Sequence, residues 1–283
     1  MSLPDSPLTL HPLDQRLLGL EVNADDACRS HFRVEPRLTR SDGRLYGGTA
    51  LAVALAAIEV ATGRPVLYAC VQFVGTAAAG ETVDVTVDIV AHGRSADQVQ
   101  LMAKTGERVV FTAVGGAATR APDGIAGTGP MMPDVVGPDE CPRFAPLRDA
   151  DIQPAGHHRM MDLREVPTET VSDEPMRRMA MWARVHGETE TTAAKLGYLA
   201  DFVPIAVART AGVVGAGTSL DNTLRVARLV DCEWVLLDLI PQVAYGSYGH
   251  GICDIWSPDG VLMATGSQTT KLFSFASFRA RNP

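Results

Sequence analysis

The sequence predicts an α+β protein of two units, each an antiparallel sheet wrapped around one buried helix. Three observations predict it. The run Thr49 to Ile58 carries no charge and is built almost wholly of small or apolar residues behind the pair Gly47-Gly48. From Thr82 to Ile89 polar and apolar residues alternate strictly. After a proline-rich stretch the same order of elements is met a second time.

The helix comes first because the strands need something to wrap. Alanine and leucine are the strongest helix formers, so the spacing predicts a helix from Gly48 or Thr49 to residue 62. Gly63-Arg64-Pro65 closes it with a C-cap glycine followed by a proline. It has no polar face before Glu59 and is therefore buried nearly all round. It is also shorter than the roughly 20 apolar residues that span a bilayer. Alanine side chains let strands approach closely, and the two glycines leave backbone N–H groups bare at the helix start.

Ahead of this helix, Leu13 to Leu20 predicts a short helix and His31 to Glu35 a strand. Behind it, Val66 to Val74 is a mostly apolar strand ended by the turn Gly75 to Gly80. In the next strand Val83, Val85, Val87 and Ile89 face one way, and Thr82, Asp84, Thr86 and Asp88 the other. Gln98 to Lys104 and Arg108 to Val114 pair across Thr105-Gly106-Glu107. This first unit spans residues 13–118.

Residues 119–156 break the pattern. They hold Pro122, Pro130, Pro133, Pro138, Pro142, Pro146 and Pro154, seven of the chain's 18 prolines, and read as a linker. The second unit, 157–275, repeats the order: strand Arg178 to Val185, helix Thr191 to Arg209, then strands Leu220 to Arg228, Glu233 to Val243, Gly251 to Trp256 and Val261 to Phe273. Ser257-Pro258-Asp259-Gly260 joins the last two, proline presetting one dihedral and glycine accepting the next. The halves are alike in element order, not in sequence, and point to an internal duplication.

With 283 residues, 46% hydrophobic and 20% charged, the chain can bury a sizeable core. A net charge of −8 argues against a nucleic-acid or anionic-membrane surface. The five cysteines are scattered without CxxC spacing, which predicts reduced thiols and no zinc site. Residues 1–20 lack a basic segment followed by a long apolar run, so the expectation is a cytoplasmic protein without a signal peptide.

Two residues stand out chemically. Asp201 lies in the apolar run from Leu196 to Ala208, three residues before Pro204. Proline has no N–H for the carbonyl of Ala200, so the helix is expected to bend beside the aspartate. A carboxylate in such surroundings is a candidate general base; the plainer alternative is a solvent-facing or capping aspartate. Gln268 shares a strand face with Leu262, Ala264, Gly266 and Leu272, where an amide needs partners. Ser219 and Asp221 open the strand after the helix, a place where turn residues are also common. GxSxG, Cys/His, P-loop, HExxH and strand-linked GxGxxG signatures are all missing.

Tyr46-Gly47-Gly48 before an alanine-rich helix resembles the first repeat of the type II acyl-CoA thioesterases, which are double hotdog proteins. Leu196-Gly197-Tyr198 through Asp201, Ser219-Leu220-Asp221, and Asp259-Gly260-Val261-Leu262 through Gln268 resemble their second repeat. The likeness runs from about Leu17 to Phe273, apart from the linker. It implies hydrolysis of an acyl-CoA substrate by a water held between Asp201, Ser219 and Gln268, with Ser219 where the family has threonine. It implies no metal and no cofactor, and a homo-oligomer, dimer or tetramer. Gly47 and Gly48 are then candidate oxyanion donors at a helix N-terminus. Arg94, in His92-Gly93-Arg94-Ser95, is a candidate for CoA phosphates or simply a solvated turn.

The chain departs from that family at Asn222, Arg225, Val226 and Ala227, where histidine and aromatic residues are common; Arg228 is kept. Tyr248-Gly249 replaces a frequent arginine-glycine pair. These changes leave open a non-catalytic acyl-CoA-binding protein. A hotdog hydratase is disfavoured because no histidine follows Asp201 until His250.

Overall fold

The computed structural model describes residues 9–121, 123–127, 129–144, 156–167, 178–212 and 215–274. In chain order the elements are α1 (Pro12–Leu18), β1 (Glu21–Asn23), β2 (Asp26–Arg33), α2 (Gly47–Thr62), β3 (Val66–Phe73), β4 (Thr82–His92), β5 (Ala96–Thr105) and β6 (Arg108–Ala118). There follow β7 (Met161–Glu165), β8 (Met179–Val185), α3 (Ala193–Leu199), α4 (Val203–Thr210), β9 (Gly215–Ser219), β10 (Asp221–Val226), β11 (Val235–Tyr245), β12 (Tyr248–Trp256) and β13 (Leu262–Ser274).

Among the described residues, all the strands join one 13-stranded antiparallel sheet in the order β1-β2-β4-β5-β6-β3-β10-β13-β12-β11-β8-β7, with β9 on the far half of β13. The two halves meet where β3 pairs with β10, Cys70 opposite Thr223. On β4, Val83, Val85 and Val87 are buried while Thr82, Asp84, Thr86 and Asp88 are exposed, as the alternation predicts. The sheet curves around α2, which is buried without interruption from Gly48 to Ile58. Gly63, at φ 63°, ends that helix in the left-handed conformation. Glu59, the first charged residue of the helix, accepts the Val66 N–H at 2.9 Å.

Several expectations are corrected. The single helix over 191–209 is two: α3 stops at Leu199, and α4 starts at Val203 with Pro204 in its first turn, where a missing N–H costs nothing. Proline therefore breaks the helix beside Asp201 rather than bending it. The strand placed at His31 to Glu35 begins earlier, at Asp26, and ends at Arg33. β1, β7 and β9 carry no strong periodicity and are held by pairing with their neighbours.

Part of the linker is firmly docked. Met132, Val135, Val136 and Cys141 cover the outer face of the second half's sheet against Trp182, Leu236 and Trp256. The Trp182 indole donates to the Val136 carbonyl at 2.8 Å. Apolar residues in a proline-rich strap are what such a face requires, since each buried methylene stabilises by about 0.8 kcal/mol. Residues 122, 128 and 145–155 of the linker lie outside the described residues.

Gly197 sets how closely the helices pack. A Cβ there would stand 2.7 Å from Leu55 Cδ1 and 3.3 Å from Ala52 Cα, so α3 rests directly on α2. That contact brings the end of α3, and with it Asp201, to the first turn of α2.

Candidate active site

Asp201 sits in the gap between α3 and α4, facing the N-terminus of α2. Its Oδ2 accepts the Gly48 N–H at 3.0 Å. Its Oδ1 accepts the amide Nε2 of Gln268 and, more loosely at 3.4 Å, the Nδ2 of Asn222. Gln268 Nε2 also donates to Ser219 Oγ at 2.7 Å, and the Ser219 hydroxyl in turn bonds the carboxylate. The sheet register explains the gathering. Gln268 is on the inner face of β13, Ser219 ends β9 opposite Thr270, and Asp221 holds the Thr269 N–H at 2.9 Å.

Burial pushes the Asp201 carboxyl up to about 6. Hydrogen bonds from Gln268 and Gly48, the charge of Arg40 and the Ser219 hydroxyl oppose the rise in that order. The residue keeps partial exposure, as do Gly47 and Ser219, so the group is open to a small reactant. A carboxylate that is ionised at neutral pH, yet basic enough to take a proton, is suited to general-base work.

The glycines acquire a more specific reason than the sequence offers. A Cβ on Gly47 would stand 2.5 Å from Asp201 Oδ2. One on Gly48 would stand 2.5 Å from both the Tyr198 carbonyl oxygen and Tyr46 Cε1. Only glycine lets the carboxylate and the Tyr46 ring come this close to the backbone. The Gly48 N–H is not bare, since Asp201 takes it. Gly47 N–H, first in the helix, makes no hydrogen bond among the described residues.

Arg94 does not join this group. It is exposed at the β4–β5 tip, where the Gly93 N–H bonds Asp97 and Asp97 pairs with Arg64 just beyond the end of α2. The 16 residues of α2, at about 1.5 Å each, put roughly 24 Å between that end and Asp201. Asn222, read from sequence only as a departure, is 2% exposed and a donor to Asp201. Tyr46 and His157 also belong to the surroundings: their rings stack at 3.8 Å beside Gly48. No signal in the sequence links those two positions. Among the described residues, no three His, Cys, Asp or Glu side chains converge as metal ligands would. Nor is any described helix long and apolar enough to cross a membrane.

Two sheet-around-helix units in one chain, sharing a continuous sheet, define the double hotdog class, and the carboxylate–amide–hydroxyl cluster lies where the units meet. A family model for the acyl-CoA thioesterase N-terminal domain matches residues 36–119, and one for the acyl-CoA thioesterase C-terminal domain matches residues 138–271. The chain belongs to the acyl-CoA thioesterase family and is a thioester hydrolase. Among solved structures it is similar to a protein assigned as a thioesterase from Novosphingobium aromaticivorans, at 28% identity and TM-score 0.79, covering 90% of this chain and 98% of that one. A tesB protein of Mycobacterium avium subs paratuberculosis shares the fold at 21% identity and TM-score 0.74, over 94% and 100% of the two chains. So does an acyl-CoA thioesterase II of Mycobacterium marinum, at 19% identity and TM-score 0.74, over 93% and 99%. No curated protein matches the sequence significantly.

Proposed function

We propose that the protein hydrolyses an acyl-CoA to a carboxylic acid and CoA, with Asp201 as general base. The observation that carries this reading is the direct contact of Asp201 with Gln268, and of Gln268 with Ser219, at a helix N-terminus. A water between these groups gives its proton to Asp201 as its oxygen attacks the thioester carbon. Ser219 and Gln268 set the direction of attack. The carbonyl oxygen takes up negative charge, for which the Gly47 N–H and the α2 dipole supply a donor and a favourable field. The carbon–sulfur bond then breaks, Asp201 passes its proton to the departing sulfur so that CoA leaves as the thiol, and the carboxylic acid remains. An acyl-CoA substrate, a cytoplasmic setting and a homo-oligomeric assembly belong to the same reading through the family. The residue bounds 13–118, 119–156 and 157–275 are our proposed division of the chain.

Free-thiol release across a panel of acyl-CoAs tests it; an enzyme releasing thiol from none of them at any chain length would end the reading. The pH dependence follows from the carboxyl at about 6. The base works only when ionised, so kcat/KM should climb with pH through about 6 and level off above it. A profile flat down to pH 4.5 would exclude Asp201 as the group that titrates.

Gln268 bridges the other two groups, donating to both Asp201 and Ser219. Gln268→Ala should therefore slow hydrolysis more than Ser219→Ala, because a water can stand in for a small hydroxyl but not for a bridging amide. Paired kcat measurements decide this, and a larger loss for the serine variant would exchange the two roles.

A further inference from the structure

His157 lies far from Asp201 in sequence, yet its ring lies flat on Tyr46, the planes 2° apart and the centroids at 3.8 Å. Tyr198 meets the same Tyr46 ring edge-on at 5.6 Å. Tyr46 is 3% exposed and its ring rests on the backbone of Gly48, with no room for a Cβ between them. Gly48 is the residue whose N–H holds Asp201. The chain of contacts thus runs from His157 through Tyr46 to Gly48 and the carboxylate.

His157 is itself held in place. Its backbone N–H and its Nδ1–H both donate to the Thr39 carbonyl, at 2.7 and 3.0 Å. The preceding Gly156, at φ 58°, lies so close to that carbonyl that a Cβ would sit 2.0 Å from it. The neighbouring Leu38 carbonyl accepts the Tyr46 N–H at 2.9 Å, so one short stretch anchors both rings. Burial first, and His158 second, push the His157 imidazole down to about 3, which keeps it neutral. A neutral ring bonded through Nδ1–H has no exchangeable charge to offer at working pH, but it offers a flat, fixed face.

We propose that His157 is a positioning residue for the hydrolysis: its ring holds Tyr46 against Gly48 and so fixes the Gly48 N–H on Asp201. The proposal rests on the reading of Asp201 as base. Misplacing a catalytic group by about 1 Å costs up to about 10²-fold in rate, so even a small release of Tyr46 is measurable.

Two variants separate the ring from the hydrogen bond. His157→Phe keeps the stacked face and loses the Nδ1–H bond to Thr39. His157→Asn keeps a side-chain N–H for Thr39 and loses the face. If the stack positions the site, the Phe variant stays within about threefold of wild-type kcat. The Asn variant drops by about tenfold or more at little-changed KM, and its acid limb moves to higher pH as the Gly48 bond loosens. Where His157→Asn melts below the assay temperature, His157→Leu takes its place with the same expectation. An Asn or Leu variant with wild-type kcat and pH profile overturns the proposal. So does a Phe variant as slow as they are, since the hydrogen bond or the imidazole itself would then matter. Wild type and Asp201→Asn run in the same assay keep the two readings apart. A wild type without thioesterase activity, or a fully active Asp201→Asn enzyme, overturns the base assignment. A fast His157→Asn enzyme beside an inactive Asp201→Asn enzyme overturns the positioning role alone.

Discussion

Asp201→Asn is expected to slow acyl-CoA hydrolysis by roughly 10²–10⁴-fold, the usual contribution of a general base, while the protein stays folded and still binds substrate. Asparagine keeps the size of the side chain but accepts no proton from water. The site can accommodate it. One oxygen remains for the Gly48 N–H, and the new NH₂ faces Gln268, whose buried Oε1 has no hydrogen-bond partner among the described residues. Turning the Gln268 amide over supplies the missing acceptor. Stability should hold level or rise. The carboxyl is raised from its ordinary value to about 6, so the folded state binds the extra proton between about pH 4 and 6. Folding stability therefore falls as pH rises through that window and levels off above it, and the asparagine variant escapes that loss. Steady-state rates and melting temperatures measured on one preparation decide the matter. A folded variant within a few-fold of wild type would remove Asp201 from the mechanism.

Ala54→Lys should be the most damaging change away from the site. Ala54 has no exposure and lies midway along the buried run Gly48 to Ile58. Lysine there adds volume to a packed interior and a charge with no partner, together of order 3 kcal/mol or more. For a chain of this size that is a fall in melting temperature of roughly 5 °C or more. The protein itself shows what a buried lysine needs. Lys195 is completely buried, yet its ammonium donates to the carbonyls of Glu188, Glu190 and Cys232 at 3.0, 2.8 and 2.9 Å. Around Ala54 the backbone carbonyls are already used within the helix. An unchanged melting curve would show that α2 is not the centre of the core.

What the sequence determines by itself is local. The alanine-rich composition makes α2 a helix with no polar face, the alternation in β4 sets one face inward, and Pro204 marks an irregularity beside Asp201, read from the sequence as a bend and found to be a break between α3 and α4. Each signal acts within one or two turns of chain, where backbone hydrogen bonding and side-chain periodicity settle the outcome. The resemblance to a family added the grouping of Asp201, Ser219 and Gln268, which local signals could not supply. The tertiary structure decided the rest. Arg94 and Gly47 flank the two ends of one helix, and only the order of strands in the sheet tells which end faces Asp201. β9 is a strand because β13 is long enough to pair twice. Asn222 and His157 matter because packing carries them to Asp201 and Tyr46. Gly48 and Asp201 are 153 positions apart, and their hydrogen bond exists because Gly197 lets α3 settle on α2. Contacts of that range depend on close packing between elements, and no stretch of neighbouring residues encodes them.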